Sequence, residues 1–452
     1  MRSEQIDFLL HYNTNAPRYT SYPPANLFRS AVSEEQVKNL WEASNQCLPE
    51  NLSFYFHIPF CLKRCIFCGC TSETLHSESF RTEYFKALHK EMDEKLKWIN
   101  KERKISQIHF GGGTPTSVPF VELERLIDKL RNNFSFTENP EIAIEINPDI
   151  ITEEKLQTLA RIGFNRISYG IQDFNSETLK RIGREPSNIP VKELLEISRS
   201  LGFHGLNLDL VYGLPGQTEI SFTESILKAI DANPDRVALF SYAHIPWLRA
   251  EQKILETYGI PDAREKIAFF LKARDLFLEH SFQAVGMDHF AHSKDSLAIA
   301  SAKGLLHRNF QGYCTRETTG QVYAFGSSAI SQFDNAYLQN VHTAKEYIEK
   351  ISENEMTEFR VHPLSSEERI LRNVIERLMC NNKLRLSENE YECVQAGFKR
   401  LCALEKEGLL TKINDREIHA TELGSLVIRY LAMQLDPLMQ NRKTEGVFSK
   451  TI

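Results

Sequence analysis

Short apolar runs alternate with longer amphipathic stretches from about residue 51 onward. Stretches such as 77–96 and 120–134 place apolar residues at helical spacing. The short runs between them are rich in β-branched and aromatic residues, which favours strands. They are LSFYFHI (52–58), ISQIHF (105–110), EIAIEI (141–146), RISYGI (166–171), LNLDLVY (206–212) and VALFSYA (237–243). Strand–helix alternation of this kind predicts an α/β protein built of βα units around a parallel sheet.

Polar or glycine-rich groups follow the first two predicted strands and lie at or just beyond the ends of the next four. In chain order they are a cluster of four cysteines, Gly111–Gly113, Glu145, Gln172, Asp209 and His244. Barrel enzymes place their active sites at the C-terminal ends of the strands. Because six units fall short of eight, we predict an open, partial (βα)6 TIM-like barrel over residues 51–290. Its mouth is expected to be lined by these groups and wide enough for a bulky substrate.

The regions outside this repeat differ from it in composition. Residues 1–50 contain the basic and aromatic segment PRYTSYPP (17–24), and we expect this N-terminal segment to cover the substrate. Residues 291–360 are predicted to be a connecting region that closes the active site. Residues 361–452 are Leu-rich and are predicted to form a mainly helical C-terminal domain.

The C-terminal domain resembles a winged helix in its predicted order of elements. We expect helices near 365–380, 387–396 and 397–407, a hairpin around Asn414-Asp415 and a last helix over 422–436. The hairpin is not conspicuously basic, so the pattern favours a cap on the barrel mouth over a DNA-binding role.

Composition and charge narrow the class of protein. The chain has 452 residues, of which 42% are hydrophobic and 25% charged, and 54 basic against 60 acidic side chains leave a net charge of −6. This balance argues against a protein that coats nucleic acid or anionic membrane. The sequence also shows no apolar run long enough to span a bilayer and no N-terminal cleavage pattern. We therefore predict a cytoplasmic monomer without membrane or nucleic-acid partners.

The distribution of the nine cysteines predicts metal or redox chemistry. Four lie within ten residues, at Cys61, Cys65, Cys68 and Cys70, and the other five are scattered. In a reducing compartment such a cluster indicates a metal site and not a disulfide framework. Thiolates bind both zinc and iron–sulfur clusters. Structural zinc sites usually take two separated pairs of ligands, whereas three closely spaced cysteines can hold three irons of a [4Fe–4S] cube and leave one iron open.

The C-x3-C-x2-C spacing at the end of the first strand resembles the signature of the radical S-adenosylmethionine (SAM) enzymes. The resemblance implies that Cys61, Cys65 and Cys68 bind a [4Fe–4S] cluster whose open iron is chelated by SAM. Cleavage of SAM then gives a 5′-deoxyadenosyl radical. Gly111–Gly113, followed by Thr114 and Pro115, is similar to the glycine-rich segment that receives the methionine amino group in this superfamily.

A closer resemblance covers essentially the whole chain. It is to the oxygen-independent coproporphyrinogen III oxidases (dehydrogenases) of bacterial haem biosynthesis. The motifs that carry it are PRYTSYP (17–23), YFHIPFC (55–61), FGGGTPT (110–116), EINP (145–148), YGIQDF (169–174), DLVYGLPGQT (209–218), YAHIP (242–246), GMDHFA (286–291), LHRNFQGY (306–313) and FSKTI (448–452). The resemblance implies oxidative decarboxylation of two propionates of coproporphyrinogen III to vinyl groups, giving protoporphyrinogen IX. It also implies two bound SAM molecules, and an electron donor and acceptor that the sequence does not identify.

Matching motifs assign expected roles to individual residues. Those expected at the cluster-bound SAM are Tyr55, Gly112, Glu145 and Ile330. Those expected at the second SAM are Phe67, Gly113, Thr114, Gln172, Arg184, Asp209 and Ala243. Cys70 is not needed as a cluster ligand, so we expect it to act beside the cluster in proton or electron handling.

The substrate of this family is a tetra-anion, so cations and amide donors are expected at the mouth. The candidates are Arg18, His307, Arg308 and Gln311, with Tyr19 and Tyr22 packing against the macrocycle.

Three other interpretations remain open at this point. A haem-trafficking relative shares the radical SAM core without decarboxylase activity, but such relatives generally lack PRYTSYP and the fourth cysteine. An iron–sulfur regulator could use the C-terminal domain to bind DNA, which the acidic charge disfavours. A radical enzyme acting on another tetrapyrrole would share the same motifs.

Overall fold

The computed structural model describes residues 2–29, 33–74, 77–440 and 448–450. The strands are β1 (Leu52–Ile58), β2 (Phe60–Cys61), β3 (Glu73–Thr74), β4 (Ile105–Gly112), β5 (Phe136–Ile146), β6 (Arg166–Gln172), β7 (Gly205–Tyr212), β8 (Arg236–Ser241), β9 (Gln283–Val285), β10 (His289–Ala291), β11 (Leu306–Asn309), β12 (Gly312–Thr315), β13 (Val322–Phe325), β14 (Ile330–Gln332), β15 (Ala336–Asn340), β16 (Glu358–Pro363), β17 (Lys383–Arg385), β18 (Leu410–Asn414) and β19 (Glu417–Ala420). The α-helices are α1 (Arg2–His11), α2 (Glu34–Ala43), α3 (Glu78–Lys95), α4 (Phe120–Arg131), α5 (Glu153–Ile162), α6 (Ser176–Arg181), α7 (Val191–Ser200), α8 (Glu219–Asp231), α9 (Ala263–Glu279), α10 (Ser296–Lys303), α11 (Arg316–Thr319), α12 (Ala344–Ser352), α13 (Ser366–Asn381), α14 (Glu388–Ala403), α15 (Glu422–Leu426) and α16 (Ile428–Leu435).

The six predicted strands form the parallel centre of one open sheet. They lie in the order β1-β4-β5-β6-β7-β8, and each neighbouring pair is parallel. Helices α3, α4, α5, α7 and α8 connect them, so the predicted αβ class and partial (βα)6 barrel are confirmed. Strands β1 and β4 are buried along nearly their whole length, which explains their continuous apolar sequence.

The sheet extends beyond these six strands at both edges. Strand β13 pairs in parallel with β1, and β14, β15 and β16 continue antiparallel from it. On the other edge β10 and β9 add to β8, also antiparallel. The region 291–360 therefore supplies part of the same sheet, which the sequence analysis did not predict because these strands are only three to six residues long.

The core lies between the sheet and its helices. The Phe56 ring stacks on those of Phe110 and Phe325, with centroids 4.9 and 5.8 Å apart, which links three adjacent strands. Helix α4 shows how the helices join this core, since it buries Leu123, Leu126, Ile127 and Leu130 at helical spacing.

The C-terminal region has the order predicted for a winged helix, with two differences in its helices. Residues 388–403 form one helix and not two, because Gly397 brings α14 against α16 and does not break it; a Cβ there would lie 2.8 Å from the Gln434 carbonyl oxygen. The last helix divides at Val427 into α15 and α16. The hairpin is confirmed as β18 and β19, and β17 joins it.

The N-terminal segment is hydrogen-bonded to the C-terminal region. The Tyr19 and Tyr22 hydroxyls donate to the two carboxylate oxygens of Asp436 at 3.0 and 3.2 Å. The Arg429 guanidinium donates to the Ala16 and Pro17 carbonyls. Residues 448–450 of the FSKTI motif lie alongside, since Ala16 N donates to the Ser449 carbonyl at 3.1 Å. Thr451 and Ile452 lie outside the described residues.

Candidate active site

The cysteine loop joins β2 to β3 and is held by bonds to its backbone. The Ile66 N–H donates to the Ile182 carbonyl at 3.0 Å. The Gln252 amide donates to the Phe67 carbonyl at 2.9 Å, and Arg249 donates to the Cys70 carbonyl at 2.7 Å. These contacts fix a loop that has no regular secondary structure of its own.

Each of the three predicted ligand sulfurs accepts a hydrogen bond. Thr114 Oγ1 lies 3.5 Å from Cys61 Sγ, Arg184 Nη1 lies 3.7 Å from Cys65 Sγ, and the Cys70 N–H lies 3.4 Å from Cys68 Sγ. Donors of this kind stabilise sulfurs that carry negative charge.

The cysteine thiols of the loop are the candidate ligands of a metal group. Over the described part of the chain, no three His, Cys, Asp or Glu side chains converge closely enough to hold a single metal ion. The cysteine thiols instead line one wide cavity. Three thiolates around an open space fit an iron–sulfur cube with one free iron, whose ligands stand farther apart than those of one ion.

The thiols differ in acidity because their surroundings differ. The Cys70 side chain hydrogen-bonds to Cys68 and lowers the pKa of Cys68 to about 6, with a smaller contribution from Arg64. The same bond raises the pKa of Cys70. Burial raises the pKa of Cys61 and of Cys65, and the neighbouring Arg184 partly offsets this rise at Cys65. Cys68 is therefore the thiol best disposed to be a thiolate before a metal group binds.

The glycines that end β4 and begin the following turn lie against the start of the cysteine loop and leave little room for side chains. A Cβ on Gly111 would lie 2.6 Å from Glu145 Oε1, and one on Gly112 would lie 2.7 Å from the His57 ring. Gly112 also has φ +110°, which favours glycine. The close approach of this backbone to both side chains therefore requires the glycines.

A polar network crosses the ends of β1, β4 and β5. His57 Nε2 lies 2.8 Å from the Thr71 carbonyl, which can only accept, so His57 Nδ1 accepts from the Tyr55 hydroxyl at 3.2 Å when the ring is neutral. Burial lowers the pKa of His57, which favours that neutral form. Beside it, His109 Nε2 lies 3.0 Å from Glu145 Oε1, and its ring stacks on Tyr55.

A second carboxylate, that of Asp209, lies within β7 and not at its end, since the strand continues to Tyr212. Ser168 and the Asn207 amide donate to Asp209 at 2.9 and 2.7 Å, and burial raises the pKa of Asp209 to about 6. On the adjacent strand, Gln172 adopts the left-handed conformation at φ +68°. Such conformations cost free energy and concentrate at functional sites.

Two cavities that share three lining residues collect most of the predicted site residues. The larger has a volume of about 810 Å³ and the smaller about 280 Å³, and both are lined by Glu145, Phe310 and Gln311. The predicted residues lining the larger one are Arg18, Cys61, Cys65, Phe67, Cys68, Cys70, Gly112, Gly113, Thr114, Glu145, Gln172, Arg184, Asp209, Ala243 and Gln311. Tyr55 and Ile330 line the smaller one. The strand-end residue His244 lines neither and instead hydrogen-bonds Tyr242 and Glu256.

Two of the four predicted substrate residues, Arg18 and Gln311, line the larger cavity, and the other two lie behind its lining. Arg18 lines the cavity and pairs with Asp288 at 3.2 Å. Arg308 and His307 are buried and line neither cavity. Arg308 Nε donates to the Arg18 carbonyl at 3.1 Å, and His307 Nδ1 lies 2.6 Å from the Glu376 carboxylate of α13. These two residues therefore support the wall, and a direct contact with substrate stays a prediction for them.

The aromatic pair of the N-terminal segment also lies away from the cavity. Tyr19 and Tyr22 are buried against Asp436, so the structure does not place their rings where a macrocycle could pack. They hold the segment in place, and Arg18, beside Tyr19, reaches the cavity.

Sequence reasoning missed several residues that line the site. His109 bonds to Glu145, and Asn309, Phe310 and Gln332 line the smaller cavity. His109 could have been found, because it occupies the same alternating face of β4 as Gln107, which also lines the larger cavity.

Comparison with known proteins shows the family of this chain. Residues 55–229 match the radical SAM superfamily. The oxygen-independent coproporphyrinogen III oxidase of Escherichia coli (strain K12) is 36% identical, with full coverage of both chains. That of Synechocystis sp. is 35% identical over 99% of this chain and 97% of that protein. The chain belongs to the oxygen-independent coproporphyrinogen III oxidase family.

The same family contains a solved structure with this fold. The structure of coproporphyrinogen III oxidase from Escherichia coli, described as a radical SAM enzyme, matches with a TM-score of 0.87 and 36% identity. The match covers 93% of this chain and 97% of the Escherichia coli chain. As a member of the oxygen-independent coproporphyrinogen III oxidase family, the protein is a radical SAM oxidoreductase of haem biosynthesis. Membership of this superfamily implies a [4Fe–4S] cluster and SAM.

The described residues contain no helix long and apolar enough to cross a membrane.

Proposed function

We propose that the protein decarboxylates two propionate side chains of coproporphyrinogen III to vinyl groups and so forms protoporphyrinogen IX. The observation that carries this proposal is the pair of joined cavities, which bring the cysteine loop, the strand-end polar groups and Arg18 to one space. A volume of about 810 Å³ lies in the range that accommodates large organic ligands. The family relatives named as coproporphyrinogen III oxidases support the choice of substrate.

Cys61, Cys65 and Cys68 would hold the iron–sulfur cluster. When bound, the cluster and SAM supply a 5′-deoxyadenosyl radical strong enough to take hydrogen from an unactivated carbon. The protein orients the reacting groups and excludes water. Gly112 and Glu145 would bind the SAM at the cluster, together with Tyr55 and Ile330, which line the smaller cavity.

A second SAM would occupy the larger cavity on the side of β6 and β7. Asp209 can accept from ribose hydroxyls, and Arg184 can donate to a carboxylate. The residues that we assign to this molecule are Phe67, Gly113, Thr114, Gln172, Arg184, Asp209 and Ala243, all of which line the larger cavity. Two decarboxylations need two SAM equivalents, which is the reason for proposing the second site.

Substrate carboxylates would be held by Arg18 and Gln311, which line the larger cavity. Arg18 offers a guanidinium whose side chain is 38% exposed, and the buried Gln311 Nε2 has no hydrogen-bond partner. A buried donor without a partner costs free energy that a carboxylate ligand would recover. His307 and Arg308 would act on this site through the wall that they form.

Cys70 would act beside the cluster and not as a ligand. It faces the larger cavity and hydrogen-bonds to Cys68, so its proton is held next to a predicted ligand. We expect C70S to keep the iron content of the unmodified protein and to lose turnover. Unchanged turnover in that variant would contradict this role, and loss of iron would make Cys70 a part of the cluster site itself.

The function is tested with anaerobically purified, cluster-reconstituted protein supplied with SAM, dithionite and coproporphyrinogen III. Mass spectrometry should show protoporphyrinogen IX together with about two 5′-deoxyadenosines per molecule, one for each decarboxylation. 5′-Deoxyadenosine without decarboxylated product would retain radical chemistry and exclude this substrate. Haem binding with neither product would favour a haem-trafficking role.

A further inference from the structure

A surface segment next to the cysteine loop has an unusual helical form. Residues Ala250–Tyr258 form a 3-10 helix nine residues long, although such helices rarely exceed four residues. At three residues per turn, side chains three apart lie above one another. Gln252 and Leu255, three apart, are buried against the protein, and Gln252 and the preceding Arg249 donate to the cysteine-loop backbone.

Together with the turn that precedes it, this helix forms a segment, residues 247–258, that exposes large apolar side chains. Leu248 and Ile254 are 70% and 53% exposed, and Trp247 is 62% exposed. Leu62, on the cysteine loop itself, is 51% exposed. Of the fourteen large hydrophobic residues exposed in the described chain, five lie on the cysteine loop or this segment, the fifth being Tyr258. Apolar side chains gathered in this way mark an interaction surface; we refer to Leu62, Trp247, Leu248 and Ile254 as the loop patch.

The charges around the loop patch oppose the charge of the whole chain. The basic residues adjacent to it in the chain are Lys63, Arg64, Arg249 and Lys253, the acidic ones are Glu251 and Glu256, and the Arg181 guanidinium lies 5.9 Å from the ring of Tyr258. Both carboxylates are paired, Glu251 with Arg64 at 3.9 Å and Glu256 with His244 at 3.0 Å. A chain of net charge −6 thus presents a locally basic rim around an apolar centre. This surface is complementary to a partner with an apolar contact and an acidic border.

We propose that the loop patch is the docking site of a small acidic protein that carries one electron. The proposal rests on the proposed function, which requires an external electron at the group held by Cys61, Cys65 and Cys68. The carrier is oxidised by one electron, the iron–sulfur group is reduced by one electron, and no atom is transferred. None of the four residues of the loop patch lines either cavity, so docking here leaves the cavities open to substrate.

Binding is tested without turnover. Reconstituted protein is titrated calorimetrically with an oxidised plant-type [2Fe–2S] ferredoxin of acidic net charge, at about 50 mM and about 400 mM salt. We expect binding that weakens with salt, and a loss of about tenfold in affinity in the L248S/I254S and K253E variants. The matched controls are I413S, at a residue 51% exposed on the C-terminal hairpin, and K399E on α14, and both should bind as the unmodified protein does.

Three results would overturn the docking site. Patch variants that bind ferredoxin like the controls would exclude this surface. Self-association that depends on Leu248 and Ile254, with no ferredoxin binding, would assign the patch to a second copy of this chain. Binding that is unchanged by salt and by K253E would contradict recognition of the partner through its acidic charge.

Turnover with two reductants separates this proposal from the proposed function. With dithionite, the patch variants should keep at least half of the unmodified activity. With reduced ferredoxin, their KM for ferredoxin should rise about tenfold. Equal losses with both reductants would mean that the substitutions disturb the cysteine loop, which contradicts a docking role. If the unmodified protein turns over with neither reductant, the proposed function fails, and the titration alone decides whether the patch binds the carrier.

Discussion

Arg184 Nη1 lies 3.7 Å from Cys65 Sγ, and the Nη2 atom of the same guanidinium donates to the Gly170 carbonyl. One side chain therefore connects the cysteine loop to the end of β6. Its Nε atom is buried and has no hydrogen-bond partner. The planar fork of an arginine can serve two such acceptors at once, whereas a lysine ammonium is a single point of charge. The contact explains why an arginine lies between a predicted cluster ligand and the proposed second SAM.

We predict that R184Q keeps its iron content but loses turnover at least about tenfold, because charge-assisted hydrogen bonds to both sides of the cavity are lost. R184K should recover only part of the activity. Iron analysis and the KM for SAM measure the effect. R199Q is the control, since Arg199 makes similar contacts on the surface, to the Asn233 carbonyl and Asp235. Equal activity in R184Q and R199Q would contradict the prediction.

The turn after β4 gives a second prediction, with an internal control. In G112A the new Cβ would meet the His57 ring at 2.7 Å, so His57 must move and SAM affinity should fall about tenfold. Gly202 also has positive φ, at +93°, but no atom lies within 4 Å of its Cβ position. G202A should therefore cost only backbone strain of about 1 kcal/mol and leave SAM binding unchanged. Titration with SAM and urea unfolding distinguish the two, and similar SAM affinities would refute the steric argument.

The barrel was predictable because its strands carry their own signal. Strand β1 begins and ends where the apolar run predicts, at Leu52 and Ile58. Strands β13 to β16 are shorter and are specified by distant partners, as when Val322 pairs with Ser53. A strand of three to six residues shows too little periodicity to be recognised, and its neighbours decide its conformation.

The site residues also differ in whether local sequence or a distant partner determines their position. Strand-end polarity placed Glu145 near the end of β5, where it lines the larger cavity, and Asp209 lines the same cavity from within β7. Strand-end polarity did not show that His307 bonds to Glu376 on a helix nearly seventy residues later. Sequence motifs identify which side chains are present, but the partner of a buried ion pair depends on how remote segments pack.

A buried ion pair behind the smaller cavity should dominate local stability. Lys95 Nζ lies 2.6 Å from Glu91 and 2.7 Å from Glu358, and all three residues are buried. The Glu91 carboxylate also accepts from Gly326 N–H at 2.9 Å, close to the wall residue Ser328. K95M would leave two buried carboxylates without their cation and should lower the free energy of unfolding by about 3 kcal/mol or more.

Urea unfolding measures this loss against a surface pair. Lys192 and Asp231 form an ion pair with side chains 56% and 70% exposed, so K192M should cost less than about 1 kcal/mol. A K95M variant within 1 kcal/mol of the unmodified protein, roughly the cost of a surface pair, would show that the buried cation is dispensable.

The carboxylate of Asp209 should lower the stability of the protein although it would serve ligand binding. Burial raises its pKa from 3.8 to about 6, so between these pH values the folded protein holds a proton that the unfolded chain has released. The free energy of unfolding therefore falls as pH rises through this window, and above about pH 6 the carboxylate carries the full penalty. D209N removes the charge, and Asn207 Oδ1, which has no partner, can accept from the new amide. Without cofactors, D209N should be more stable than the unmodified protein by about 2 kcal/mol at pH 8 and equal to it near pH 4.

The cost of that gain should appear in ligand binding. The amide offers a ribose hydroxyl one acceptor oxygen in place of two, so we expect D209N to need more SAM and to turn over more slowly. Urea unfolding is measured across pH for D209N and for D231N, a substitution at an exposed residue. D231N should shift stability by less than about 0.5 kcal/mol, so the difference between the two variants reports the titration of Asp209. A D209N variant that is less stable than the unmodified protein at pH 8 would mean that the hydrogen bonds from Ser168 and Asn207 outweigh desolvation. The Asp209 carboxylate would then stabilise the fold, and it would not be a group that lowers stability in order to bind a ligand.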